Sequence, residues 1–238
     1  MIILLKLILA HFIGDFILQS KSWVAEKEIK KAKSIKLYLH ILLHGLLVLI
    51  LLWDYNYWPL ALSIMVLHGL IDLVKLYAQN EQNKVKCFLI DQGLHIISIL
   101  LLWSYWFYPI KNLNEIYIRP SIWIYGTAIL FISIVSGIII HVIMSNWSKA
   151  LNDSNEESLN NAGKYIGILE RLFVFTFVVT GNWEAIGFLL AAKSVFRFGD
   201  LKESKDRKLT EYILIGTLLS FGIAITTGMI VLELNIKS

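Results

Sequence analysis

The chain has 238 residues, of which 57% are hydrophobic and only 17% charged, and its mean hydropathy is +0.65. A soluble domain carries a smaller apolar share, so this composition excludes an ordinary water-soluble enzyme and points to a polytopic α-helical membrane protein. The net charge of +4 comes with no nucleic-acid-binding module, so no nucleic-acid partner is expected, and the single cysteine, Cys87, excludes an intrachain disulfide.

Apolar stretches long enough to cross a bilayer recur along the chain. The predicted spans cover residues 2–19, 37–54, 58–77, 88–108, 121–144, 165–181, 184–198 and 210–232. This gives an all-α bundle of about seven to eight spans, because the stretch 184–198 is short and carries Lys193 and Arg197. The first stretch lacks a small-residue cleavage site and is read as a span rather than a signal peptide. Aromatic residues gather at span ends, among them Trp53, Tyr55, Tyr57, Trp58, Trp103 and Tyr105, as an interfacial belt would. The connection after the first span is the most basic, with Lys21, Lys27, Lys30, Lys31, Lys33 and Lys36, whereas the next carries only Asp54. By the positive-inside rule the N-terminus is expected outside and the odd-numbered loops in the cytoplasm, in a multi-pass protein of the cytoplasmic (inner) membrane.

Five of the six histidines lie four residues from an aspartate or another histidine: His11/Asp15, His40/His44, His68/Asp72 and Asp91/His95. That spacing stacks both side chains on one helix face, and one pair falls on each of the first four spans. Chance gives roughly one such pair in a chain of this composition. Ionisable groups inside a membrane are costly and point to a functional site. His141 has no such partner and reads as an interhelical hydrogen-bonder.

With the first four spans alternating in direction, the pairs sort by depth. His11, His44, His68 and His95 fall in one layer about 11–15 Å below the cytoplasmic boundary, and Asp15, His40, Asp72 and Asp91 in another about 6 Å closer to it. An internal repeat agrees. His11-Phe-Ile-Gly-Asp15 matches His68-Gly-Leu-Ile-Asp72, and His40-x-x-x-His44 matches Asp91-x-x-x-His95. Residues 1–110 are therefore expected to form a four-helix membrane domain from two similar hairpins. Gly14, Gly45, Gly69 and Gly93 flank the polar residues, where small side chains let helices approach.

Imidazoles with carboxylates are the ligand set of a divalent metal, Zn²⁺ first and Mn²⁺ or iron next. The eight paired residues are the candidate ligands: His11, Asp15, His40, His44, His68, Asp72, Asp91 and His95. They suffice for two metals, or for one whose imidazoles are oriented by outer carboxylates. Asp15, Asp72 and Asp91 double as catalytic candidates, serving as ligands or as the base for a metal-activated water. Such a nucleophile near the headgroups suits hydrolysis of a lipid-linked or membrane-embedded substrate. The same residues also fit a metal-ion or proton transporter, or a scaffold whose polar core only holds helices together. The outward halves of spans two and four carry almost no polar residue, which counts against transport. Gln19 and Gln92 lie near the cluster and read as outer partners or interfacial residues.

Residues 111–238 are expected to form a second membrane region of three to four helices, with a polar linker at about 149–163. Glu170, Arg171, Lys193 and Arg197 lie near its predicted cytoplasmic face. They are the candidates for binding an anionic, lipid-linked or phosphorylated substrate among the membrane lipids. The alternative is that the cations snorkel to the interface or pair with Glu170 and Glu184.

The run Leu9-Ala-His-Phe-Ile-Gly-Asp-Phe-Ile-Leu-Gln19, with His40-x-x-x-His44, His68-x-x-x-Asp72 and Asp91-Gln-x-x-His95, resembles the domain of unknown function 3307 (DUF3307) of bacterial membrane proteins. Gly167-Ile-Leu-Glu-Arg171 and the run Leu190–Asp200 are similar to its longer members. The resemblance implies a membrane protein and delivers no activity. A looser likeness to membrane-bound metal-dependent hydrolases with His/Asp motifs in their helices favours hydrolysis by analogy.

Overall fold

A computed structural model describes residues 2–107, 120–148, 162–198 and 206–236. The described residues are helical, with no strand among them. They divide into two compact units, Met1–Trp123 and Ile124–Ser238.

Unit 1 is built on α1 (Ile2–Phe12), α2 (Lys21–Lys30), α3 (Ile35–Leu52), α4 (Trp58–Ala78) and α5 (Lys84–Phe107). A π-helical stretch, Ile13–Leu18, continues α1. Short connections make α3, α4 and α5 successive antiparallel neighbours, and α1 packs against α3 and α5 to close the bundle. The connection from α3 to α4 is fixed locally. Trp53 adopts the left-handed conformation (φ 56°) that ends α3, Asp54 accepts from the Asn56 amide, and Pro59 sits in the first turn of α4.

The bundle is apolar outside and polar within one half. Leu42, Leu46 and Ile50 of α3 and Val66, Leu70 and Val74 of α4 are exposed along outward stripes, as lipid-facing side chains would be. Leu7, Ala10, Val48, Leu52, Leu60, Ala61, Ile64 and Ile99 fill the interior of the half remote from α2. The other half buries the histidines and aspartates.

Helix α2 departs from the expected loop. After Leu18 the chain turns through 89°, so α2 lies across the lysine-rich end of the bundle. Ser20 caps it by accepting from the Trp23 amide, and Lys31 (φ 49°) ends it. Ser34, fully buried, donates to Glu26 and ties the start of α3 to α2.

Unit 2 contains the rest of α6 (Pro120–Leu130), a π-helical stretch at Phe131–Val135, α7 (Ser136–Ser148), α8 (Ala162–Thr180), α9 (Trp183–Phe198) and α10 (Asp206–Ile236). Helix α10 packs along α8 and α7. A Cβ at Gly228 would run into Val178, so glycine there sets the approach of α10 to α8. Gly181 (φ +77°) turns the chain sharply between α8 and α9.

Among the described residues, the helices long and apolar enough to cross a membrane are Ile35–Leu52, Tyr55–Ala78, Lys84–Phe107, Ser121–Ser145 and Lys208–Asn235. The bent pair Ile2–Leu18 and Lys21–Lys33 makes six when counted as one span. The all-α membrane bundle is as expected, and five or six of the expected seven to eight spans meet this test among the described residues. The stretches at 165–181 and 184–198 do form helices, α8 and α9. However, α8 carries Lys164, Glu170 and Arg171, and α9 has 16 residues, about 24 Å of helix. The linker expected at 149–163 lies mostly outside the described residues.

Candidate metal centre

The four-residue spacing does on each helix what helical geometry requires, and the bundle turns the four faces toward one another. His11, His40, His44, His68 and His95 are each exposed by 3% or less. The deep-layer imidazoles of His11, His44, His68 and His95 form one group, with ring centroids 3.8 Å apart for His44–His68, 4.0 Å for His68–His95 and 5.1 Å for His11–His95. Glycine permits this approach. A Cβ at Gly14 would overlap the His44 ring, and one at Gly69 would meet Ile41, while Gly93 faces open space.

The tightest convergence is on Asp15, which the π-helical stretch carries. Its Oδ1 lies 2.9 Å from His44 Nε2, 3.2 Å from His40 Nε2 and 3.5 Å from His68 Nε2, and His68 Nε2 is 3.0 Å from His40 Nε2. Gln92 holds the other oxygen, donating from Nε2 to Asp15 Oδ2 at 3.0 Å, and its Oε1 lies 3.3 Å from His11 Nε2. Ligand atoms around a tetrahedral Zn²⁺ with bonds of about 2.0–2.1 Å stand about 3.3–3.4 Å apart. Four of the six distances among the ligand atoms of Asp15, His40, His44 and His68 bracket that edge. Ligand atoms of His11, Asp15, His44 and His68 also lie within 4.8 Å of one another. Among the described residues, the four-ligand set that meets metal spacing is Asp15, His44 and His68 with His11, and His40 touches it through Asp15 and His68.

Asp72 and Asp91 have different partners. Lys27 of α2 donates to Asp72 Oδ2 at 2.7 Å, and Lys75 of α4 donates to Asp91 Oδ2 at 2.8 Å. Both carboxylates also face His95 Nε2, at 3.5 Å from Asp72 Oδ1 and 3.4 Å from Asp91 Oδ1. Two further sets satisfy metal-ligand spacing, His40/His68/Asp72 and Asp72/Asp91/His95, but each contains a carboxylate already bearing an ammonium. A divalent ion at either place would stand within a few ångströms of a like charge. The Asp15 set is the one without that conflict.

The internal repeat reappears in the contacts. His44 reaches Asp15 across the first hairpin, and His95 reaches Asp72 across the second. The symmetry breaks where His40 is matched by Asp91, and there Lys75 supplies the balancing charge.

A small cavity of about 10 Å³, room for one water molecule, adjoins the imidazole layer. His11, His44, His68 and His95 line it on one side and Leu7, Val48, Ile64 and Ile99 on the other. His11 Nδ1 and His95 Nδ1 are buried without a hydrogen-bond partner.

The candidates of the second half go elsewhere. Arg171 is buried in unit 2, where its Nε donates to Ile132 O, Nη2 to Ser133 O at 3.3 Å and Nη1 to Ser220 Oγ at 3.5 Å. Those carbonyls belong to the π-helical stretch at Phe131–Val135, where the regular ladder is interrupted. Lys193 donates to Glu170 at 2.7 Å. The Arg197 side chain lies outside the described residues, and His141 is exposed on α7.

Sequence reasoning missed Lys27 and Lys75. Lys75 stands three residues after Asp72 and so shares its helix face, a readable signal. Lys27 is one of six lysines in its segment, and nothing local distinguishes it.

The family model described as "Protein of unknown function (DUF3307)" matches residues 3–125, more than half of the chain and every member of the His/Asp cluster. The chain therefore belongs to this family. No curated protein and no solved structure matches it.

Proposed function

We propose that this member of the DUF3307 family holds one divalent metal ion, Zn²⁺ ahead of Mn²⁺ or iron, and hydrolyses a lipid-linked or membrane-embedded anionic substrate. The convergence of the His40, His44 and His68 Nε2 atoms on Asp15 Oδ1 carries this reading. Each neutral imidazole has one lone pair, and in the tautomer with Nδ1 protonated the three Nε2 lone pairs would share one small volume, which suits a cation better than they suit one another. A scaffold needs no such focus. Ionisable groups within membrane helices are costly, and three aspartates are a heavy cost for helix association alone.

One ion rather than two follows from the lysines on Asp72 and Asp91. A bound ion would supply Lewis acidity and lower the pKa of a coordinated water. His95, beside the cavity and lacking a short hydrogen bond at Nε2, is placed to accept a proton there, with Asp72 and Asp91 stabilising the imidazolium. In this reading the lysine-rich end faces the cytoplasm and the apolar half of unit 1 closes the other side. That closure opposes a transport path: Leu52, Leu60, Ala61 and Ile64 pack the remote half.

The test uses the purified full chain in nanodiscs, stripped of metal with a chelator and then reloaded. Metal-dependent release of a headgroup or fatty acid from lipid phosphoesters or esters is expected, and His44→Ala should abolish it. Metal flux into proteoliposomes without any hydrolysis would replace this reading with a transporter.

A further inference from the structure

Lys27 and Lys75 reach the cluster from the same end of unit 1. Lys27 comes from α2, which lies across that end, and Lys75 from the last turn of α4. Lys27 is 5% exposed although it belongs to the most basic segment of the chain. Each ammonium has three N–H donors, and each has one described acceptor, a single carboxylate oxygen. Both therefore keep donor capacity at the inner face of the site. The unit 2 cations offer less: the Arg171 guanidinium is engaged by two backbone carbonyls and a serine, and Lys193 by Glu170.

Charge balance narrows the ligand. With neutral imidazoles, the three carboxylates of Asp15, Asp72 and Asp91 exceed the two ammoniums by one negative charge. A divalent ion at Asp15 reverses that to one positive charge, which a singly charged anion cancels. A carboxylate would do so at one point. A phosphodiester carries the same single charge on two free oxygens, enough to engage both lysines or one lysine and the metal. Its ester arms are neutral and can extend toward the bilayer. Lys30, Lys31, Lys33 and Lys36, which follow Lys27 in the same segment, raise the local concentration of such anions.

We propose that Lys27 and Lys75 form the seat for a phosphodiester group beside the metal centre, so that the substrate anion is held by unit 1 itself. The seat rests on the one-metal reading above, since the ion supplies the charge that makes the site anion-seeking. The phosphodiester comes either from a lipid headgroup or from a water-soluble ester.

The experiment takes the full chain, metal-loaded in dodecyl maltoside, and titrates glycerophosphoglycerol as the soluble probe and short-chain phosphatidylglycerol as the lipid probe by calorimetry. Metal content is measured on the same samples. Lys27→Gln and Lys75→Gln are each expected to weaken binding by about tenfold or more, while Lys27→Arg stays within about threefold of the wild type. Lys84→Gln, at the surface pair with Glu28, should bind as the wild type does. Binding of both probes assigns the seat to the phosphodiester alone, and binding of the lipid probe only assigns it to a headgroup held with its chains. Full metal content with Gln variants that bind like the wild type overturns the seat and leaves the metal reading intact. Absent metal with lysine-dependent binding retained overturns the metal reading and the charge count drawn from it, and leaves the two lysines as the anion's holders. A wild type that binds neither probe overturns the seat outright, whatever its metal content.

Discussion

In unit 1 the buried charged and ionisable groups meet one another through side-chain atoms, whereas in unit 2 the buried guanidinium of Arg171 meets backbone carbonyls and a hydroxyl. Both arrangements satisfy polar groups inside apolar helices, and both adjoin a π-helical stretch. They differ in what is left over. Arg171 donates to two carbonyls of the π-helical stretch and to a serine hydroxyl, so its guanidinium is satisfied within the fold. Around Asp15, imidazole nitrogens crowd one oxygen while other ring nitrogens have no partner. The first pattern is what a structural group requires; the second suits a site that binds something. An ionisable residue in a membrane helix is thus better judged by its partners than by its presence.

Substitutions in the two units should separate these roles. The largest effect is expected from Asp15→Asn, which keeps the shape and removes the ligand charge. Losing even an outer partner of a metal ligand costs about 10–100-fold in affinity, so this change should exceed a hundredfold in competition with a chelating dye. Thermal unfolding of unit 2 should be unaltered.

Arg171→Leu should act in the opposite sense, lowering thermal stability while leaving metal content unchanged. Orphaned buried acceptors cost about 1–3 kcal/mol each, and a net loss of about 2–3 kcal/mol is expected. Arg171→Lys should recover little, because an ammonium cannot reproduce the guanidinium fork. Metal loss in either variant would break the distinction between the units.

A smaller effect is expected at the glycines. Alanine in place of helical glycine ordinarily favours a helix by about 0.8–1 kcal/mol. Gly93→Ala should show that gain, since nothing lies near its added Cβ. Gly14→Ala should instead lose about 1–3 kcal/mol and weaken metal binding, because the methyl would displace the His44 ring. Equal behaviour in a melting assay would mean that the ring position does not matter. The smallest change is expected for Lys84→Gln, whose surface pair with Glu28 contributes under about 1 kcal/mol.

The convergence of the His/Asp pairs was legible in the sequence because helical periodicity and an apolar context act locally. The histidine layer followed from the alternation of the first four spans. Gly14 and Gly69 could be read as approach points, but their neighbour Gly93 carried the same signal and touches nothing. What could not be read depends on the chain returning to itself. The turn after Leu18 lays α2 across the bundle, and only that path brings Lys27 to Asp72, 45 residues away. The partners of Arg171 were hidden for another reason. Backbone carbonyls have no side-chain signature, and the π-helical stretch that exposes them has no evident mark in Phe131–Val135. Hydropathy marks α8 and α9 as apolar stretches, whereas the charges within α8 and the shortness of α9 keep both below the length and composition of a span.

The central claim is that unit 1 holds a single divalent ion at Asp15, His44 and His68, with His11 or His40 beside them. Its most direct test is elemental analysis of the purified full chain beside a His11→Ala/His68→Ala variant. The account predicts about one metal ion per wild-type chain and less than about a tenth of that in the variant, with helical content preserved in both. Two ions per chain would contradict the role given to Lys27 and Lys75. No metal in the wild type, or equal metal in both proteins, would contradict the centre itself.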